Sequence, residues 1–127
     1  MPLVRIELRA GKPAEYRSAL AEGVYQAMRT ALNVPADDRF IVVSEHAEGS
    51  LVVDPGYLGI RRTPDAIVVQ VTLNEGRTLE MKRAFYRKLA DELEARAGVR
   101  REDVMVSLVE VKKENWSFGN GEAQYAT

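Results

Sequence analysis

The chain is 127 residues long, with 46% hydrophobic and 29% charged residues, 18 basic against 19 acidic side chains, one histidine and no cysteine. That length supports one domain with a real core and leaves no room for two independent ones. A net charge of −1 argues against nucleic acid or an anionic membrane as the main partner, while the missing cysteines and lone His46 exclude a disulfide framework, a thiolate metal site, a cysteine nucleophile and a histidine cluster.

No apolar run approaches the ~20 residues that span a bilayer, and no basic segment followed by an apolar one opens the chain. The expectation is a cytoplasmic protein with neither a metal nor a membrane partner. The first predicted element is a strand over Val4 to Leu8, preceded by Pro2. Proline has no N–H for the ladder, and the first residue of a strand is one place that tolerates it. Removal of Met1, routine before a small residue, would turn Pro2 into a free secondary amine at the head of that strand. Taken alone, such a proline is more often incidental than chemical.

Gly11 punctuates the exit of this strand, and a helix follows in which Tyr16, Leu20, Val24 and Met28 recur every four residues. Asn33 stands where a left-handed C-terminal cap is wanted, and Phe40 to Ser44 reads as a second strand. His46 and its neighbour Glu45 end that strand and are expected at the surface. The second half repeats the plan: a strand over Ile67 to Thr72, Gly76, a helix with Met81, Phe85, Leu89 and Leu93 on one stripe, Gly98 as cap, and a strand over Val104 to Val109.

A constant offset of 65 pairs Leu8 with Leu73, Gly11 with Gly76, Asn33 with Gly98, Val34 with Val99 and Asp38 with Asp103. This is an internal duplication of a β-α-β unit, the first copy covering about 2–60 and the second about 61–127 of a single domain. Parallel strand pairs joined by crossover helices predict an α/β fold: a four-stranded sheet with both helices on one face. The strands read as near-continuous apolar runs, so the open face is expected to be buried as well, in a homo-oligomer. Pro2 falls opposite Ile67, where the chain is continuous, so only the first copy could carry amine chemistry.

PLVRIEL, VPADDRF, the LGI of Leu58 to Ile60, the GRT of Gly76 to Thr78 and, above all, the tail NWSFGNGEAQY resemble the tautomerase superfamily, in its malonate semialdehyde decarboxylase branch. The resemblance covers nearly the whole chain. It implies a homotrimer of two-unit subunits, each with a cofactor-independent site around its terminal proline. Carried over by position, it puts the catalytic proline on Pro2, a catalytic aspartate on Asp38 and a carboxylate-binding arginine on Arg77. An aromatic wall would come from Trp116, Phe118 and Tyr125, with Asn74 beside the substrate. The family's Arg-x-Arg is here Leu73-Asn74-Glu75-Gly76-Arg77, one residue longer and with one arginine. Arg5, Arg61 and Arg62 are the other cations that could supply a second.

An α-amine titrates near pH ~8; an apolar pocket lowers that value and a nearby carboxylate raises it. Neutral Pro2 would shuttle a proton between carbon and oxygen in keto-enol tautomerisation; cationic Pro2 would assist decarboxylation of a 3-oxo acid. A planar arginine fork would orient a substrate carboxylate. Each residue also has a plainer role: Asp38 as a turn residue, like Asp103; Arg77 as a solvated side chain before a Thr78 cap; Trp116 and Phe118 as packing at a subunit boundary. The expected function is a tautomerase or related decarboxylase acting on a small carboxylate-bearing oxo acid or enol. The alternative is a non-catalytic β-α-β-β-α-β module that binds a small ligand or assembles others. An RNA-binding version would need aromatics on the central strands, and IVVQV and VMVSLV have none.

Overall fold

The alternation of buried and exposed positions decides how each strand sits. In the computed structural model, which describes residues 2–126, β1 (Leu3–Arg9) turns Val4, Ile6 and Leu8 into the core and leaves Arg5 exposed. The helix α1 (Ala14–Leu32) buries Leu20, Val24, Met28 and Leu32, the stripe its four-residue spacing dictates. Asn33 ends it in the left-handed conformation at φ 56°, a cap position that Asn tolerates better than most residues. The chain then enters β2 (Ile41–His46), which pairs parallel with β1 from Val4 opposite Ile41 to Arg9 opposite His46.

The second unit follows the same logic through β3 (Ile67–Asn74), α2 (Leu79–Ala97) and β4 (Val104–Val111). Thr78 is the N-cap of α2, its hydroxyl accepting from the Met81 N–H at 3.2 Å, and Gly98 closes the helix at φ 66°. The strands β3 and β4 are parallel, β1 and β3 antiparallel, and the sheet order is β2-β1-β3-β4.

Both helices cover the same face. Val24 and Met28 of α1 and Phe85, Leu89 and Leu93 of α2 join Ile6, Val69 and Val71 in one core, each large side chain contributing roughly 1.5–3 kcal/mol by its burial. Gly23 lets the helices approach closely, since a Cβ there would stand 2.9 Å from Leu93 Cδ2.

The other face is less apolar than the strand runs imply. Register places Arg5 opposite Gln70 and Gln70 opposite Ser107, a polar row across three strands, flanked by exposed Val42, Met105 and Val109. The single polar residues that interrupt IVVQV and VMVSLV thus land side by side, because side chains two apart share a face and pairing aligns them. His46 sits on β2 half-buried, Nε2 3.2 Å from Glu7 Oε2. No helix among the described residues is long and apolar enough to cross a membrane.

Because β1 and β3 are antiparallel, the beginnings of β1 and β2 share one end of the sheet with the ends of β3 and β4. The exit of α1 and the entry of α2 meet there too, so Pro2, Phe40, Asn74 and Arg77 converge from separate parts of the sequence.

Candidate active site

Pro2 is buried at the head of β1. Next to it the Val4 N–H donates to the Phe40 carbonyl at 2.9 Å, which fixes Phe40 just before the neighbouring strand. Beyond β4 a short turn over Lys113–Asn115 redirects the chain. Trp116, Ser117 and Phe118 then join Pro2, Leu3 and Phe40 around a cavity of about 230 Å³.

The tail is a loop closed by its own groups. The Phe118 N–H donates to Gln124 Oε1 at 2.9 Å, and Gln124 Nε2 donates to the Gly119 carbonyl at 2.8 Å. Between them Gly119, Asn120 and Gly121 all have positive φ, a reversal for which two glycines and an asparagine are suited. Trp116 stacks on Phe118 with ring centroids 5.5 Å apart and planes at 13°; Tyr125 meets Phe118 edge-on at 4.9 Å and Phe40 packs at 6.2 Å.

Asn74 ties this cluster to the sheet, its Oδ1 accepting from Trp116 Nε1 at 2.7 Å. Arg77 Nη1 donates to the Asn74 carbonyl at 3.3 Å, while its Nε and Nη2 donate to the Leu32 carbonyl at 3.3 and 3.1 Å. That carbonyl is at the end of α1, where intrahelical donors run out and positive charge is favoured. Arg77 is therefore a half-buried, anchored side chain and not a solvated one. Three of its five N–H donors are spent on the backbone.

Asp38 is buried, its N–H closing a turn on the Pro35 carbonyl at 3.2 Å. Burial pushes its carboxyl above the ordinary carboxylate value, opposed by positive charge that includes the Arg77 guanidinium. Its repeat counterpart Asp103, also buried, accepts from the Thr63 N–H at 2.8 Å and the Thr63 hydroxyl at 2.5 Å. In the second copy, then, this aspartate holds donors of the segment that leads into the strand.

Of the residues singled out from the sequence, Pro2, Trp116 and Phe118 share the cavity. Asn74 reaches it through Trp116 and Tyr125 through Phe118, and these two line a separate depression with Lys112 and Glu114. Asp38 and Arg77 are electrostatic neighbours of one another. Met1 lies outside the described residues. Arg62 spends Nη1 on the carbonyls of Asp54, Tyr57 and Ile60, Arg5 stands on the open sheet face, and neither lines the Pro2 cavity. Phe40, Ser117 and Gln124 were not foreseen. The parallel pairing that β-α-β implies was the available signal for Phe40; Gln124 gave none beyond its place in the tail. Among the described residues no group of three or more acidic or histidine side chains could hold a metal ion.

A family profile described as tautomerase enzyme matches residues 38–119, and a second with the same description matches residues 2–61. "Probable tautomerase YusQ" of Bacillus subtilis (strain 168) is 40% identical over 124 residues, covering 98% of each chain. A solved malonate semialdehyde decarboxylase, described with decarboxylase and hydratase activities, is 34% identical with a TM-score of 0.91 over 97% of this chain and 95% of that one. A fused 4-OT, solved as a wild-type symmetric trimer, is 26% identical with a TM-score of 0.79 and 98% coverage of both chains.

Proposed function

The chain belongs to the tautomerase superfamily, in its malonate semialdehyde decarboxylase-like branch, and from that premise we propose that it interconverts the enol and keto forms of a small oxo acid, with Pro2 as the acid-base group once Met1 is removed. The observation that carries this reading is the burial of Pro2 among Leu3, Phe40, Trp116 and Phe118 in a cavity of about 230 Å³. Apolar walls disfavour the protonated amine, and the neutral amine is the form that acts as a base. The neutral nitrogen takes the enol O–H proton, the carbonyl forms, and the same proton is returned to the adjacent carbon.

Arg77 meets the substrate carboxylate with the N–H donors its anchoring leaves, and Asp38, by analogy with Asp103 and Thr63, holds the amine at the head of β1. One anchored arginine favours tautomerisation over decarboxylation, which depends more on a rigidly oriented carboxylate. Decarboxylation of a 3-oxo acid stands second, favoured by the TM-score of 0.91 to a malonate semialdehyde decarboxylase. The non-catalytic module gives way to the enzyme, since both family profiles are of tautomerases. A single sheet shared by both units supports one domain, and exposed Val42, Met105 and Val109, together with the trimeric fused 4-OT, support a homotrimer.

The test is intact mass spectrometry of the untagged protein beside spectrophotometric ketonisation of enol acids by wild type and Pro2→Ala. Absence of Met1, with turnover abolished in Pro2→Ala, is the expected result. Retention of Met1 in the native protein, or equal kinetics for the two proteins, removes Pro2 from the chemistry.

A further inference from the structure

We propose that Asn74 and Gln124 are positioning residues that set the aromatic wall of the Pro2 cavity: Asn74 by fixing the Trp116 indole, Gln124 by closing the loop that presents Phe118. This rests on the reading of that cavity as the active site. The indole N–H is a donor only, and a half-buried one needs a partner. Asn74 Oδ1 supplies it at 2.7 Å, so the side chain expected beside the substrate is committed to the wall.

Asn74 is well placed to be rigid. It is the last residue of β3, paired with Val111 of β4; the next residue, Glu75, donates its N–H to the Val111 carbonyl at 2.9 Å, and the Asn74 carbonyl takes Arg77 Nη1. The arginine and the aromatic wall therefore share one anchor, through its main chain and its side chain respectively. Among the described residues, the Asn74–Trp116 bond is the only side-chain hydrogen bond joining residues 116–126 to the sheet, since both bonds of Gln124 stay inside the tail. Without it, Trp116 is held to the sheet by packing alone, and Phe118, stacked on Trp116, loses its reference to β3.

Trp116 is the sole tryptophan of the chain, so fluorescence excited at the red edge of the indole band, beyond the absorption of the five tyrosines, reports on this side chain alone. The experiment compares the emission maximum and anisotropy of full-length wild type, Asn74→Ala, Asn74→Asp and Gln124→Ala, and the enol turnover of these four with that of Trp116→Phe and the Asn74→Ala/Trp116→Phe double variant. Asn74→Ala shifts emission to the red and lowers anisotropy, and kcat/KM falls about tenfold to a hundredfold, the scale of a misplaced site group. Asn74→Asp, which keeps an acceptor, restores the emission, and Gln124→Ala shifts it in the same direction as Asn74→Ala. In the double variant kcat/KM is no lower than in Trp116→Phe alone.

An unchanged Trp116 signal in Asn74→Ala overturns the role of Asn74, and an unchanged signal in Gln124→Ala overturns that of Gln124. Full additivity of Asn74→Ala and Trp116→Phe in kcat/KM also overturns the proposal, by making Asn74 an independent substrate contact. Absence of enol turnover in wild type would sink the functional reading, while the fluorescence would still decide whether Asn74 and Gln124 hold the wall.

Discussion

The guanidinium of Arg77 reaches across the helix pair to the Leu32 carbonyl, with Nε at 3.3 Å and Nη2 at 3.1 Å. The entry of α2 is thereby fastened to the exit of α1, and the cation beside Asp38 is held in place by the scaffold. The residue proposed to bind a carboxylate is already part of the fold.

Arg77→Lys tests this double use. Lysine keeps the charge but not the planar fork, so it cannot serve the Leu32 and Asn74 carbonyls together. Hydrogen bonds to charged groups are worth about 1.5–3 kcal/mol, and a loss of roughly that size is expected in denaturant unfolding at fixed protein concentration. Unchanged stability would show that Arg77 is a solvated side chain free to serve substrate alone.

Asp103 holds the same position in the second copy, where it accepts from the Thr63 N–H and hydroxyl. Replacing it with alanine strands the Thr63 N–H and hydroxyl in a site where Asp103 is 2% exposed. An unsatisfied buried group costs about 1–3 kcal/mol. Asp103→Ala should lose at least that much stability while the kcat of the folded protein stays at the wild-type value. A fall in kcat at unchanged stability would assign Asp103 to the chemistry instead.

Asp38 supplies a pH dependence of a defined sign. Burial raises its folded-state pKa above the ordinary value near ~3.9, so between the two values the folded state binds more protons than the unfolded one. Its contribution therefore makes stability fall as pH rises through that window. Asp38→Asn removes the titration, and its stability relative to wild type should climb as pH rises from about 4 and then level off. Urea unfolding of both proteins across this range checks it; a stability of Asp38→Asn that falls relative to wild type as pH rises would mean the folded state favours the carboxylate.

Much of the fold was legible because it rests on local rules applied twice. The four-residue spacing of Leu20, Val24 and Met28 and of Phe85, Leu89 and Leu93 marked both buried stripes, and Asn33 and Gly98 stood at the left-handed caps. Strand ends were less legible. β3 and β4 run to Asn74 and Val111, beyond Thr72 and Val109, because the parallel ladder continues through Leu73 opposite Glu110 and Asn74 opposite Val111. The polar row on the open face was not legible either: whether Gln70 and Ser107 are isolated or adjacent depends on register, which no single strand contains.

Legible in short stretches was the duplicated β-α-β plan that sets Pro2 ahead of β1, since hydrophobic period and caps are local properties. Tertiary structure decided what surrounds that proline. Phe40 comes from just before β2, Asn74 from the end of β3 and Trp116 from beyond β4, and an antiparallel β1–β3 pair brings all three to one end of the sheet. It also decided that Arg77 faces a helix end and Asn74 an indole, because hydrogen bonds between residues about 40 apart in sequence exist only once the chain has closed on itself.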